Sequence, residues 1–495
     1  MELELKFALP LQDPKQLEKQ LARVPLIGRR RPKRQPLHST YYDSAEHSLQ
    51  QHRVALRVRQ TGTPDRPQWV QTLKMGGMAD SAFSRRGEWE VPVAAGQLSS
   101  AMLADTPWAE LDPIGTLYAS LVPVFTTTFE RLSWTVKLDD ATVEIALDRG
   151  SVLMDGHSAP LCELEIELLQ GEPAALFEAA LQISQQLCLL PLHMSKAERA
   201  YRMAQGTLYA PLRAKPAALT EDMALGDVAR SVLRECFLQF TANLNSWLGS
   251  DAPEVLHQSR VGWRRFKSAL KLFKLQEGHS GLPALEPLQD MLKQMTALRD
   301  LDVAASEVFP AHAVAYQYGD AARVVQWQAL EAAVATDGLA QRDALRQTLA
   351  DPGVGGCLLQ ITRWLELDTV EPPQRPRKHK AGKANQAVPT IKWLTHRVKH
   401  LAGDLKAAQR ALTQDAKTQH RLRIVSKRLR YTVENLRALL PKKRAERWCR
   451  TATDIQTRIG LERDRQLAVA TAERLQAAPG IVGFLRGAAY AVGLH

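Results

Sequence analysis

Glu2, Glu4 and Lys6 open the chain at alternate positions, and Glu163, Glu165 and Glu167 repeat that spacing far downstream. In an extended strand residues two apart share a face, so each trio points one way while Leu3, Leu5 and Phe7, or Leu164 and Ile166, point the other. Like charges about 7 Å apart repel by roughly 2 kcal/mol at an effective dielectric of about 20, a cost that a merely solvated face avoids by using Thr, Ser or Gln. A divalent cation between the strands would relieve it. Oxygen-only ligands suit Mg²⁺ or Mn²⁺, which prefer carboxylates and bridge to phosphate oxygens. Other runs carry the opposite sign. Arg57 and Arg59 share a face, Arg86 stands in line with Glu88 and Glu90, Lys74 and Arg131 lie on further strands, and Glu144 and Asp148 add acids to another. Arg forks and Lys point charges grip phosphate oxygens while acids hold neutralising metals, so a barrel lined this way holds a strongly anionic ligand.

The elements that must position these residues are legible as two periods. Up to about residue 200, runs such as RVALRVRQ, GEWEVPV, TVEIALD and LCELEIELL alternate with period two between Gly, Pro and Asp clusters, which predicts strands of an antiparallel sheet or barrel, with helices at about 13–23 and 172–188. Beyond about 220 the period becomes 3.6 and stays there, predicting an all-α part. The expected layout is a domain over 1–205, a linker over 206–220 and a helical domain over 221–495, divided by an exposed basic loop at 371–389 into repeats at about 221–365 and 390–495.

Composition narrows the partners. Apolar residues at 45% and charged residues at 24% exclude wholesale disorder and fibrous architectures. No run approaches the roughly 18 apolar residues of a membrane helix, and MELELKF is acidic where a secretory signal is basic, so a cytoplasmic protein without a membrane partner is expected. Cys162, Cys188, Cys236, Cys357 and Cys449 lie too far apart in sequence for a metal or disulfide framework and read as reduced thiols. Residues 1–220 hold 24 bases and 25 acids, whereas 221–495 hold 41 and 28, and from Arg375 to Arg450 there are 22 bases against four acids. That second half calls for an anionic partner, and nucleic acid, an acidic surface and polyphosphate all fit the charge.

The helical half repeats itself. LHQSRVGWRRFKSALKLF (256–273) aligns without gaps on QHRLRIVSKRLRYTVENL (419–436), matching His257 with His420, Arg260 with Arg423, Arg264 with Lys427, Arg265 with Arg428 and Lys267 with Arg430. Arg299-Asp300 and Arg463-Asp464 fall at nearly the same offset. His257, Arg260, Arg264, Lys267 and Lys271 recur every three or four residues and form one helix face, beside an apolar face of Trp263, Phe266, Leu270 and Phe273. An imidazolium donates from both nitrogens, which suits phosphate contact better than metal ligation here.

E-x-E-x-K at 2–6, YYD at 41–43, LRVR at 56–59, TLK at 72–74, RGEWE at 86–90 and CELEIEL at 162–168 together resemble the CYTH, or triphosphate tunnel metalloenzyme, superfamily. The resemblance implies an eight-stranded antiparallel tunnel, open at both ends, that binds a triphosphate along its axis, followed here by the all-α part in an α+β multidomain chain. It implies metal ligation by Glu2, Glu4, Glu165 and Glu167, a catalytic set of Glu2, Glu4, Lys6 and Lys74, and phosphate binding by Arg57, Arg59, Lys74, Arg86 and Arg131. Glu88, Glu90, Glu144, Asp148 and Glu163 are further tunnel acids. Lys196, in SKAERAY, is either another phosphate ligand or a surface lysine.

H-Q-S-R-V-x-x-R-R, LRDLD at 298–302 and H-R-L-R-I-x-x-K-R-L-R-Y resemble the CHAD domain over about 221–495, with LERDR placing Arg465 where the first copy has Asp302. That resemblance implies polyphosphate binding through His257, Arg260, Arg264, Arg265, Lys267, His420, Arg423, Lys427, Arg428 and Arg430. The expectation is a Mg²⁺- or Mn²⁺-dependent inorganic triphosphatase whose helical domain binds long-chain polyphosphate. Its rivals are action on a nucleoside or thiamine triphosphate, cyclisation, and non-catalytic polyphosphate binding. Nucleic acid fits less well, since the basic helices lack the aromatic interleaving of single-strand platforms.

Overall fold

The computed structural model describes residues 1–10, 13–63, 65–76, 81–94, 96–277, 281–370, 372, 389–413 and 415–490; the loop expected at 371–389 lies, apart from residues 372 and 389, outside them. The chain forms two compact units, the first made of Met1–Ala210, Leu244–Ser250 and Leu349–Asp368, the second of Pro211–Asn243, Asp251–Thr348 and Thr369–His495.

The first unit is a closed antiparallel barrel. Its long strands are β1 (Glu2–Ala8), β2 (Lys33–Asp43), β3 (Ala55–Thr63), β4 (Arg66–Met75), β5 (Phe83–Val93), β6 (Val122–Leu138), β7 (Ala141–Met154) and β8 (His157–Gln170), and a short β9 (Leu190–Pro191) adds to β1. The order β5-β4-β3-β2-β6-β7-β8-β1 is closed by pairing of β5 with β1, in the register Glu2 to Arg86 and Glu4 to Ser84. On its other edge β1 sets Glu4 against Glu167, Lys6 against Glu165 and Ala8 against Glu163.

Period two sorts the strands into a charged inside and an apolar outside. Leu5, Phe7, Ile145, Leu147, Leu164 and Ile166 face outward and are fully buried beneath Leu176, Phe177, Ala180 and Ile183 of the helix Ala174–Ser184. Leu359, from the helix Pro352–Glu366, completes the same core, so a segment distant in sequence belongs to the barrel's unit. Asp43 ends β2 by accepting from the backbone nitrogens of Ser44, Leu49 and Gln50 and from the Tyr201 hydroxyl at 2.7 Å, which anchors the helix Lys196–Ala204 to the barrel.

The second unit is helical as its period predicts, and among the described residues no helix is long and apolar enough to cross a membrane. The two repeated segments lie on the helices Pro253–Phe273 and Ala416–Asn435. Trp263, Phe266, Leu270 and Phe273 are buried as expected. Gly262 lets Pro253–Phe273 cross closely over Leu225–Trp247, because a Cβ there would stand 2.6 Å from the Phe240 backbone nitrogen and 3.0 Å from the Gln239 carbonyl carbon. Backbone cannot retreat as a flexible side chain can, so Gly262→Ala should destabilise the helical unit by about 1–3 kcal/mol despite alanine's better helix propensity. Urea unfolding followed by circular dichroism measures it, and an unchanged or raised midpoint would contradict the close crossing.

Candidate functional site

Three carboxylates gather at one level of the barrel lumen. Glu2, Glu88 and Glu167 come from β1, β5 and β8, and one oxygen of each lies within 4.8 Å of the others. Lys74 Nζ reaches Glu2 at 2.9 Å and Glu88 at 3.0 Å, and Arg86 Nε donates to Glu2 at 2.8 Å while its other arm holds Glu4. Glu167 makes no ion pair among the described residues. Burial, then Glu2 and Glu88, push its pKa up to about 7, with Lys74 offsetting part of the effect and Glu144, its cross-strand neighbour, adding to it.

Further along the lumen a second acidic trio, Asp148, Glu163 and Glu165, is matched by cations. Lys196 Nζ lies 2.9 Å from both Asp148 and Glu165 and also pairs with Glu163. Lys6 sits 2.9 Å from Glu165, and Arg131 grips both Asp148 oxygens at 2.7 Å while reaching Glu165 at 2.7 Å. Burial works against ionisation, yet Lys196, Lys6 and Arg131 hold the Glu165 carboxyl well below its usual range, and Lys196 and Arg131 lower that of Asp148. Burial likewise opposes the charge on Lys6, and Glu165, Glu4 and Glu163 overcome it to raise the pKa.

The remaining cations are less well matched. Arg57 lies 3.5 Å from Glu90, 3.7 Å from Glu88 and 3.4 Å from the Tyr41 hydroxyl. Arg59 donates to Ser39 Oγ at 3.1 Å and makes no ion pair among the described residues. Burial, with Arg57 and Arg131 beside it, pushes Arg59 down to about 10. Among the described residues the lumen thus has Glu167 and its neighbour Glu144 short of a cation and Arg59 short of an anion.

Every tunnel residue expected from the sequence lies on a barrel strand or, for Lys196, on the helix behind β9, but the grouping differs from the motif order. Glu2 and Glu167 join Glu88, Glu165 joins Asp148 and Glu163, and Glu4 stands apart with Arg86, Ser84 at 3.1 Å and Lys6 at 3.8 Å. Lys196 is buried, not a surface lysine. Sequence reasoning passed over Ser39, Thr72 and Ser84, whose hydroxyls bond Arg59, Glu90 and Glu4. Period two, which puts Thr72 on the face of Lys74 and Ser84 on that of Arg86, was the available signal for those two; Ser39 lies between Leu37 and Tyr41 on its face and carried none.

On the helical unit the two stripes converge. Lys427 is pushed down to about 6 by burial and by Arg264, Arg423, Arg463 and Arg260, and Arg260 to about 10 by burial and Arg264, with Asp300 working the other way. His257 falls to about 4 through burial and Arg299. Arg299 and Arg463, which the sequence offered only as a marker of the repeat, therefore belong to the same cluster. Arg265 does not: it is 2% exposed and donates to Gln239 at 2.7 Å and to Asn435, tying the first repeat to the second. Lys267 lies 3.9 Å from Glu277, Arg430 lies 3.8 Å from Glu434, Arg428 acts on Lys271 and Arg397, and His420 is exposed.

Residues 1–201 match the model of the CYTH domain, and residues 231–473 match that of the CHAD domain. A curated inorganic triphosphatase of Haemophilus influenzae is 29% identical over 201 residues, covering 40% of this chain and 54% of that protein, so this chain spans about half the length of the curated relative it matches. Among solved structures, the CHAD domain from the plant Ricinus communis is 28% identical, covering 57% of this chain and 91% of that one at a TM-score of 0.45. A putative adenylyl cyclase from Hippeastrum, described as revealing a dominant triphosphatase activity, is 18% identical, covering 42% of this chain and 97% of that one at a TM-score of 0.29.

The raised Glu167 pKa has a signed consequence for stability. The folded carboxyl titrates near 7 and an unfolded one at about 4.3, so the folded state binds the proton more tightly and this group's contribution to stability falls as pH rises between those values. Glu167→Gln should therefore raise the melting temperature of the metal-free protein at about pH 8, and the gain should shrink as pH falls through 7 towards about 5. Thermal scans in chelator across that range check it; a gain that grows on acidification would contradict the assignment.

Proposed function

The chain belongs to the proteins that join a CYTH domain to a CHAD domain, and from that premise we propose that its barrel hydrolyses inorganic triphosphate to diphosphate and phosphate with Mg²⁺ or Mn²⁺. The observation that carries this reading is uncompensated charge of both signs in one lumen, Glu167 without a cation and Arg59 without an anion. Glu2, Glu88 and Glu167 offer only oxygens, converge within 4.8 Å and have one member held partly protonated by burial and like charge, a donor set that fits a hard divalent ion. When bound, such an ion supplies positive charge at the phosphate oxygens and makes water a better nucleophile.

The chain's own residues do the positioning. Arg59, Arg57 and Arg131 offer forks to the phosphates, Lys74 and Arg86 stand where the metal-bearing acids meet the ligand, and Lys6 and Lys196 keep Glu165 ionised while Lys196 also pairs with Glu163. Phosphoryl transfer needs alignment and charge neutralisation more than covalent chemistry, so an array fixed on strands suffices. Glu2→Gln and Glu167→Gln should each lower metal-dependent phosphate release from triphosphate by about a hundredfold or more while leaving the circular dichroism spectrum unchanged. ATP and thiamine triphosphate serve as comparison substrates. Triphosphate turnover by either variant within about tenfold of wild type sinks the metal site, and faster turnover of another triphosphate moves the substrate assignment.

For the helical unit we propose polyphosphate binding centred on Arg260, Arg264, Arg423 and Lys427, with Arg299 and Arg463. The support is the mutual crowding that depresses Lys427 to about 6: a polyanion laid across the cluster would relieve it. Binding should weaken steeply with salt, as for other linear polyanions. Reversing Arg264 and Arg423 to Glu should weaken polyphosphate binding at least about tenfold more than reversing the exposed Lys442 and Lys443. Equal losses in a filter-binding titration, or equal competition by duplex DNA at matched phosphate, would reduce the cluster to a generic basic face.

A further inference from the structure

Strand β2 lies between β3 and β6, and its register sets Ser39 directly opposite Arg59 on one edge and opposite Thr127 on the other. Two residues along, Tyr41 stands opposite Arg57. Period two turns these side chains to the same side of the sheet, into the lumen. Arg57 is held there by Glu88, Glu90 and the Tyr41 hydroxyl. Arg59 has less: among the described residues its one hydrogen bond runs from Nε to Ser39 Oγ at 3.1 Å, which leaves both terminal nitrogens without a partner.

Nε is the root of the planar guanidinium, so a bond at that atom fixes the plane while the fork stays open. The Phe129 ring, 5.8 Å from the Arg59 guanidinium carbon, steadies the same group from beside it. A long side chain gives up rotamer freedom each time it grips a ligand, and holding it in advance removes that loss. Ser39 is 0% exposed, so removing its oxygen leaves Nε without an acceptor and without water to replace it. Thr127, across the ladder, is equally buried, and its hydroxyl makes no hydrogen bond.

We propose that Ser39 is a positioning residue for the barrel's reaction: its hydroxyl holds the Arg59 guanidinium with both terminal nitrogens free, and it acts on substrate only through that arginine. This rests on reading the lumen as a triphosphate site. Arg59 stands with Arg131 and Lys196 around the Phe129 ring, at 5.8, 6.0 and 5.3 Å from its centroid, whereas Lys74 and Arg86 hold the acids proposed to bear the metal. An arginine on that side grips the anion alike before and during transfer, so losing its anchor raises KM more than it lowers kcat.

The test uses the full chain, inorganic triphosphate and Mg²⁺, with KM and kcat read from phosphate release. Ser39→Ala should raise KM about fivefold or more and leave kcat within about twofold. Ser39→Cys, which keeps the volume but accepts hydrogen bonds weakly, serves if the alanine variant does not fold. Arg59→Met should raise KM further, and adding Ser39→Ala to it should change KM by less than about twofold, because nothing is left to position. Thr127→Val is the control: it removes an equally buried hydroxyl that bonds nothing in the same row, so KM should stay within about twofold of wild type. An unchanged KM in Ser39→Ala overturns the proposal, as do Ser39 and Arg59 effects that multiply in the double variant, or a Thr127→Val effect as large as that of Ser39→Ala. No turnover of triphosphate by the wild-type protein overturns the triphosphate reading itself, a distinguishable result.

Discussion

Charges that point into a closed sheet must find partners there, and the barrel's register is the arrangement that supplies them. Leaving one member of a buried pair alone costs several kcal/mol, on the order of 3–5, far more than a surface pair contributes. Closure through β1 and β5 sets Glu2 directly opposite Arg86, β6 and β7 set Arg131 opposite Asp148, and β4 and β5 set Lys74 opposite Glu88. A slip of one residue along any of these ladders would turn the charges into the outer core and Leu5, Ile145 or Ile166 into the lumen. Closing the sheet and neutralising its interior are therefore one event, and the outer helices have only to cover the apolar face that this register leaves.

That dependence explains what the sequence disclosed. Alternation over short runs identified the strands and the face each charge occupies, because period two is a local property. Which acid meets which cation is set by register and shear between strands far apart in the chain, so Glu88 beside Glu2 and Glu167, and Glu4 apart from them, could not be read from E-x-E-x-K or CELEIEL. Lys196 was ambiguous because a helix N-terminus gives no sign of what lies beneath it; in the structure it reaches Asp148, Glu163 and Glu165. The CHAD resemblance implies a polyphosphate contact for Arg265, which aligns with Arg428, yet a one-residue step along a helix turns about 100° away from Arg264, enough to bury it against Gln239 and Asn435.

The helical unit handles excess charge differently. Its repeat brings Arg264 and Arg260 towards Arg423, Lys427 and Arg463, and among the described residues Asp300, Asp464 and Glu307 stand against the cluster, with Asp300 3.7 Å from Arg463 and Glu307 3.4 Å from Arg299. The residues that depart from pseudo-symmetry have structural work instead. Asp302, replaced by Arg465 in the second copy, is buried and bonds Arg342 at 2.6 Å, so its loss in the other repeat removes a local brace and leaves the convergent cluster unchanged. Like charges left partly exposed on rigid helices store repulsion that a polyanion can release.

Inside the barrel the balance is near neutral, and this shapes how ligands enter under the proposed function. A triphosphate alone must draw Arg57 from Glu90 and Glu88, leaving carboxylates uncompensated, while a divalent ion alone must compete with Lys74 for Glu2 and Glu88. Entering together, the anion takes the arginines and the metal takes the acids, and neither charge set is stranded. Each ligand thereby raises the lumen's affinity for the other, and linkage makes the coupling reciprocal. A pre-paired lumen is thus stable when empty and selective for the joint metal-phosphate species, because the internal salt bridges that hold the barrel closed are the competitors that either partner alone must displace.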